Sequence, residues 1–153
     1  MAIRGIQNED FEKLVRLYKS FFNTHNIFQK SEKEIIDYLK EQSEENALIV
    51  YDETNSIVGA LFLVNFGQNE NGSHKLWKFR HFAFQTKEVA QDLLEEAEKI
   101  VKNSSETSKI ELTLAESEKE IEFYKSNKYI LEGTLSNHYR PAEACFILSK
   151  CFS

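Results

Sequence analysis

The chain has 153 residues with a formal net charge of −6 and an isoelectric point near 5.3, which suits one globular domain and offers no electrostatic case for binding nucleic acid. No apolar run approaches the ~20 residues of a membrane span, and the opening MAIRGIQNED lacks the apolar core of a signal peptide, so a cytoplasmic protein with no membrane partner is expected. Cys145 and Cys151 fall in one expected strand, ~20 Å apart at ~3.3 Å per residue and so beyond disulfide reach; they form no C-x-x-C pair, and free thiols fit a reducing compartment.

Ala2–Gln7 reads as a short extended opening. Asn8 or Asp10 can cap a helix whose apolar positions, Phe11, Leu14, Val15, Tyr18, Phe21 and Phe22, follow helical spacing. Thr24–Lys30 breaks it. Ser31 and Glu34 form a capping box ahead of Ile35, Ile36, Tyr38 and Leu39, the stripe of a second helix. Ala47–Tyr51 and Ile57–Phe66 are rich in β-branched and aromatic residues and read as strands, joined through Asp-Glu-Thr-Asn-Ser as a hairpin. Gly67–His74 carries loop chemistry, and Lys75–Phe84 reads as a third long strand. Gln85 or Thr86 introduces a helix striped by Val89, Leu93, Leu94, Ala97, Ile100 and Val101.

Lys109–Ala115 alternates as a strand. Ser117 and Glu120 have capping-box spacing and start another helix there, with Ile121, Tyr124 and Lys125 on one face. Asn127 suits the left-handed turn that ends it. Tyr129–Tyr139 and Glu143–Phe152 close the chain as a hairpin around Arg140-Pro141-Ala142. The order β-α-α-β-β-β-α-β-α-β-β places the chain in the α/β (α+β mixed) class, with a central mixed sheet flanked by helices. No repeat or linker divides it, so residues 1–153 read as a single domain.

The segment Ser117–Gly133, SEKEIEFYKSNKYILEG, resembles the motif N-x-x-A-x-x-(L/F)-Y-E-K-x-G-(F/Y) of the GNAT N-acetyltransferase superfamily. Ile3-Arg4 with Asp10, and Ile57-Val58-Gly59, are similar to that family's opening and third-strand motifs, and the element order is that of its fold. The resemblance implies transfer of an acetyl group from acetyl-CoA to an amine of a small-molecule or peptide acceptor, without a metal. It aligns Tyr124 with the tyrosine that reprotonates the coenzyme A thiolate. Phe82, Ala83 and Phe84 would flank pantetheine and acetyl, and Gln85, Thr86, Lys87, Glu88, Val89 and Ala90 would meet the pyrophosphate. Ser117 and Tyr124 would bound the cofactor from the later helix. The family splays the two parallel strands Lys75–Phe84 and Lys109–Ala115 to admit the pantetheine. A homodimer stays open.

The family's general base is often a glutamate on the strand Lys75–Phe84, where this chain has none. His81 is the nearest replacement, with an ordinary pKa near 6.5 that suits base work; a strand histidine held only by a hydrogen bond is the other reading. Glu116 is a second candidate. His25, His74 and His138 lack ligand spacing, and no metal site is expected. Trp77 reads as sheet packing.

The pyrophosphate loop departs from the family's (R/Q)-x-x-G-x-(G/A). Gln85 and Ala90 match, Glu88 replaces the central glycine, the loop is about two residues short, and the common proline is missing. A helix N-terminus attracts phosphate through its unpaired amides and dipole, whereas a carboxylate in the first turn satisfies that dipole by itself. Lys87 can compensate in part; Lys125 and Lys128 are further basic candidates or a solvated face. Two readings follow. Tyr124, Gln85 and Ala90 favour an acetyltransferase, while Glu88 and the short loop favour a GNAT-fold ligand- or protein-binding module without catalysis.

Overall fold

A computed structural model describes residues 2–22, 26–118 and 120–153. Hydrogen-bonded neighbours give a seven-stranded sheet, and the chain divides into two compact units, Met1–Val64 with Phe79–Ile100, and Asn65–Lys78 with Val101–Ser153. The elements are β1 (Ala2–Gly5), α1 (Phe11–Phe21), α2 (Glu32–Glu45), β2 (Ala47–Glu53), β3 (Ser56–Gln68), β4 (His74–Phe84), α3 (Lys87–Lys102), β5 (Thr107–Ala115), α4 (Ile121–Ser126), β6 (Ile130–Ser136) and β7 (Ala144–Phe152). Their order is the one read from the sequence. Along the sheet it is β1-β2-β3-β4-β5-β7-β6.

In the first unit, β1, β2 and β3 form an antiparallel ladder. Leu48–Tyr51 and Ile57–Val64 are unbroken buried runs, the pattern of strands covered on both faces. Leu14, Tyr18, Ile35 and Leu39 of α1 and α2 join Phe28, Leu48, Val50, Ala60, Phe62 and Ala83 in one core cluster. α3 lies so close to β3 that a methyl group at Gly59 would stand 2.5 Å from Val89 Cγ1 and 2.6 Å from Leu93 Cδ1. That approach gives the Ile57-Val58-Gly59 motif its physical content. β2 and β3 are joined through Thr54 and Asn55, at φ 51° and 63°, the left-handed pair of a tight hairpin that matches strand twist.

The opening motif is an ion cluster. Arg4 Nη1 and Nη2 donate to Asp10 at 2.7 and 3.0 Å, and Nη2 also donates to Asp52 at 2.9 Å. The Gln7 amide donates to Asp10 at 2.8 Å. Asp10 is 1% exposed, and the Arg4 guanidinium holds its carboxyl below the usual carboxylate range. Asp10 therefore ties β1 to the short 3-10 turn Asn8–Asp10 ahead of α1. The expected cap at Ser31 is present: its hydroxyl accepts from the Glu34 amide at 3.3 Å and donates to the Glu34 carboxylate at 2.9 Å.

In the second unit, β4 pairs in parallel with β5 from His74↔Thr107 to Trp77↔Ile110. β7 runs antiparallel between β5 and β6. Lys109 donates to Glu132 at 2.8 Å across this group of strands. Cys145 is buried, Cys151 is exposed, and both are free thiols.

Two local expectations are corrected here. Ser117 does not cap α4, which begins at Ile121 with Glu120 in the flanking position and no side-chain cap; the Ser117 hydroxyl donates to Glu143 at 3.2 Å instead. The left-handed residue after α4 is Lys128, at φ 72°, rather than Asn127. Asn127 ends the helix by donating its side-chain amide to the Phe123 carbonyl at 2.9 Å.

Candidate functional site

The loop Gln85–Thr86 follows β4 directly. The Gln85 amide donates to the Val58 carbonyl at 2.9 Å, which fixes the exit of the strand against β3. Thr86 is the N-cap of α3: its hydroxyl accepts from the Val89 amide at 3.2 Å and its carbonyl from the Ala90 amide at 3.1 Å. The Val89 and Ala90 side chains are buried in the core. An anion at this helix end would therefore meet the amides of Lys87 and Glu88, whose place in the first turn leaves them without an intrahelical partner. Both of those side chains are exposed. The loop thus leaves the Lys87 and Glu88 amides without an intrahelical partner and commits the Val89 amide to its own cap.

On β4, Ala83 is fully buried. The Phe82 ring lies 5.3 Å from that of Phe84, which lies 5.0 Å from Phe21 of α1. Phe84 and Gln85 also line a cleft of about 540 Å³ together with Lys13, Arg16, Ser20 and Phe21. Lys13 donates to Asn55 at 2.8 Å. Two cations thus stand beside the first residue of the loop, on α1, where helical spacing alone marks only the apolar stripe.

His81 adopts a left-handed backbone, φ 50°, within β4. A non-glycine residue is uncommon there and persists only where its surroundings hold it. The surroundings are aromatic. Ring centroids of Tyr18, Phe22, Phe28, Tyr38 and Phe62 lie 5.9, 6.1, 5.2, 5.7 and 6.0 Å from the imidazole. Tyr38 Oη is 2.7 Å from His81 Nε2. The sequence singled out His81 and missed Tyr38, which it read as part of the α2 stripe.

In the second unit, Tyr124 on α4 is 5% exposed, with the rings of Phe123 and Tyr129 each 5.3 Å away. Burial, reinforced by the nearby Glu120 and Glu118 carboxylates, pushes its phenol far above the ordinary value. The hydroxyl therefore stays protonated throughout the neutral and alkaline range. Glu116 is committed to the backbone of β7: its carboxylate accepts from the Ala144 amide at 3.0 Å, and its amide donates to the Ala144 carbonyl at 2.9 Å. Glu118 accepts from the Ala115 amide at 2.9 Å, and desolvation pushes its carboxyl up. Lys125 and Lys128 are exposed.

Among the remaining histidines, His74 Nδ1 lies 2.7 Å from Thr107 Oγ1 and the His138 ring packs on Tyr139 at 4.7 Å; His25 lies outside the described residues. Among the described residues no group of three or more His, Cys, Asp or Glu is placed to hold a metal ion, and no helix is long and apolar enough to cross a membrane.

No protein-family model matches the chain, and no curated protein matches it in sequence. Solved structures do. The aminoglycoside 6'-N-acetyltransferase of Enterococcus faecium superposes with a TM-score of 0.79 at 13% identity, over 99% of this chain and 97% of that one. The chain has the GNAT fold. An aminoglycoside 6'-N-acetyltransferase complexed with coenzyme A aligns with the same score, 0.79, at 13% identity over 99% and 97% of the two chains. An N-acetyltransferase from Staphylococcus aureus Mu50 gives 0.74 at 15% identity over 97% and 96%. At such identities the GNAT likeness is one of fold, spanning nearly the full length of each chain.

Proposed function

We propose that the protein is an acetyl-CoA-dependent N-acetyltransferase acting on an amine of a small molecule or peptide, with residues 1–153 serving as one acyltransferase domain. The observation that carries this reading is the full-length match to acetyltransferase folds, one of them holding coenzyme A. The capped N-terminus of α3, with the Lys87 and Glu88 amides left over, supports it as an anion site. Phe82, Ala83, Phe84 and Gln85–Ala90 are the proposed cofactor residues. The corrected position of Ser117, bonded to Glu143, leaves it the weakest of the proposed cofactor contacts.

In acetyl transfer the amine nitrogen forms a bond to the acetyl carbonyl carbon as the carbon–sulfur bond breaks. One proton must leave the amine, and one must reach the sulfur. Tyr124, kept protonated by burial, is the proposed source of the second. The same burial makes the phenol a weak acid, so it serves first as a hydrogen-bond donor to the thiolate and regains from solvent any proton it passes to the sulfur. His81 is the proposed acceptor of the first.

The second reading, a GNAT-fold binding module without catalysis, rests on Glu88, which puts a carboxylate in the first turn of α3. Calorimetric titration with coenzyme A, followed by an acetylation assay over a panel of amines and peptides, separates the two. Binding with acetyl transfer is the expected result. Absence of coenzyme A binding at millimolar concentration overturns the enzyme reading in favour of the module.

A further inference from the structure

The Tyr38–His81 pair holds chemistry that neither the fold nor the loop assigns. Tyr38 is partly exposed on α2, and its hydroxyl sits 2.7 Å from His81 Nε2. Burial raises the Tyr38 phenol above its ordinary value; Glu41 adds to that shift and Arg80 opposes it. The phenol therefore keeps its proton through the neutral range. A phenol hydroxyl either donates to an imidazole nitrogen or accepts from it, according to the tautomer; a relay needs the arrangement in which it donates, with Nε2 accepting and the ring hydrogen on Nδ1. A neutral imidazole has one accepting nitrogen. In the Nδ1–H tautomer that nitrogen is Nε2, and the Tyr38 hydroxyl covers it.

The pair is also held in place. The rings of Tyr18, Phe22, Phe28, Tyr38 and Phe62 surround the imidazole at 5.2 to 6.1 Å, and its own backbone adopts a left-handed conformation. Such a cage keeps Nε2 aimed at the phenol oxygen. The charged groups acting on Tyr38 are Glu41 of α2 and Arg80 of β4, the latter bound to Gln42. From α1, the Tyr18 phenol faces the ring; it is wholly buried and pushed far up, and so stays neutral.

We infer that Tyr38 is a further catalytic residue, the outer member of a Tyr38–His81 proton relay that deprotonates the acceptor amine. The inference rests on the acetyltransferase reading above. As the amine nitrogen forms its bond to the acetyl carbon, its N–H bond breaks and a bond from that hydrogen to Tyr38 Oη forms. The original Tyr38 O–H bond breaks as the proton joins His81 Nε2. The phenol ends neutral and the imidazole ends as imidazolium, so Tyr38 never holds a phenolate. A histidine whose only accepting nitrogen is covered can act as a base through that hydroxyl.

The test uses the full chain, a responsive amine found in the panel, and three variants: Tyr38→Phe, His81→Gln and the double substitution. Tyr38→Phe should lower kcat/KM by ~10²-fold or more, within the range for general-base catalysis, while coenzyme A affinity and melting temperature stay near the wild type. The double variant should be no slower than the slower single variant, since relay members act as a unit. Nitrogen-15 NMR of histidine-labelled protein should show His81 protonated on Nδ1 in the wild type, with Tyr38→Phe shifting the hydrogen toward Nε2. An active wild type with Tyr38→Phe within threefold of it overturns the relay and leaves the acetyltransferase reading intact. An Nε2–H tautomer in the wild type also overturns the relay, whatever the rates. A wild type that binds coenzyme A yet acetylates no amine overturns the acetyltransferase reading and the relay with it.

Discussion

Glu88→Gly is the most direct probe of the pyrophosphate loop. Glu88 occupies the second helical position of α3, its side chain is exposed, and its amide is one of the two left over by the Thr86 cap. A carboxylate about 7 Å from one phosphate charge opposes it by roughly 0.6 kcal/mol in bulk water and roughly 2.4 kcal/mol at an effective dielectric near 20. Exposure favours the lower half of that span. Removing the charge should tighten coenzyme A binding by about 3- to 13-fold at low salt, the equivalent of roughly 0.6–1.5 kcal/mol. Glycine adds closer backbone approach, so Glu88→Gln should recover the charge part alone. At 1 M salt the Debye length is about 3 Å, and the gain from either substitution should shrink below about twofold for the charge part. The helix loses a favourable first-turn carboxylate and gains a flexible residue, a cost of about 1–2 kcal/mol. Calorimetric titration of the three proteins at two salt concentrations measures the gain, and thermal melting measures the cost. Unchanged or weaker coenzyme A binding by Glu88→Gly at low salt refutes the placement of the pyrophosphate at this helix end.

Tyr124→Phe should reduce kcat by ~10²-fold or more with coenzyme A affinity nearly unchanged; losses confined to melting temperature would mark Tyr124 as packing alone. Asp10→Asn removes the negative charge and one of the two oxygens that accept from Arg4 and from the Gln7 amide and should cost about 2–4 kcal/mol at neutral pH. The Asp10 carboxyl is depressed in the folded state, so its contribution is complete above the ordinary carboxylate value near 4 and is lost as pH falls through the lower folded value. Acid unfolding followed by circular dichroism should therefore be steeper for the wild type than for Asp10→Asn. Gly59→Ala forces a methyl group against Val89 and Leu93 and should cost about 1–3 kcal/mol, a fall of roughly 2–12 °C in Tm.

The elements were legible because their signals are local. Buried runs in β2 and β3, the stripes of α1 and α3 and the Ser31–Glu34 cap each lie within a window of a few turns. Most of the misses came where a distant partner outbid a neighbour, Asn127 being the local exception. Ser117 and Glu120 have capping-box spacing, yet the Ser117 hydroxyl is drawn to Glu143, 26 positions on. Tyr38 fits its helical stripe, and only folding brings its hydroxyl to His81, 43 positions away. Lys13 meets Asn55 across 42 positions through a hairpin turn that composition announces without saying which helix it faces. Asn127 favours a left-handed turn by type, but its side chain found the Phe123 carbonyl and passed that backbone conformation to Lys128. Helix and strand periods are fixed by one chain segment; a site's hydrogen bonds are fixed by two.

The direction of the Tyr124 shift bears on how the chemistry can be observed. A phenol near its ordinary value of about 10 would begin to ionise within an alkaline assay and lower the rate there. Burial and the carboxylates of Glu120 and Glu118 move that ionisation beyond the assay range. The Tyr38 phenol is likewise shifted upward. Neither proposed phenol should then impose an alkaline limb below pH 10. The rate should instead rise from the acid side as the proton acceptor and the amine lose their protons, and then level off. A limb that falls between pH 8 and 9, and that survives Tyr124→Phe at reduced amplitude, would assign the loss to another group. The Cys145 thiol is a poor candidate for it, because desolvation also raises its value. Substrate amines of different basicity then separate the remaining contributions: an acid limb that follows the amine belongs to the substrate, and one that stays fixed belongs to His81.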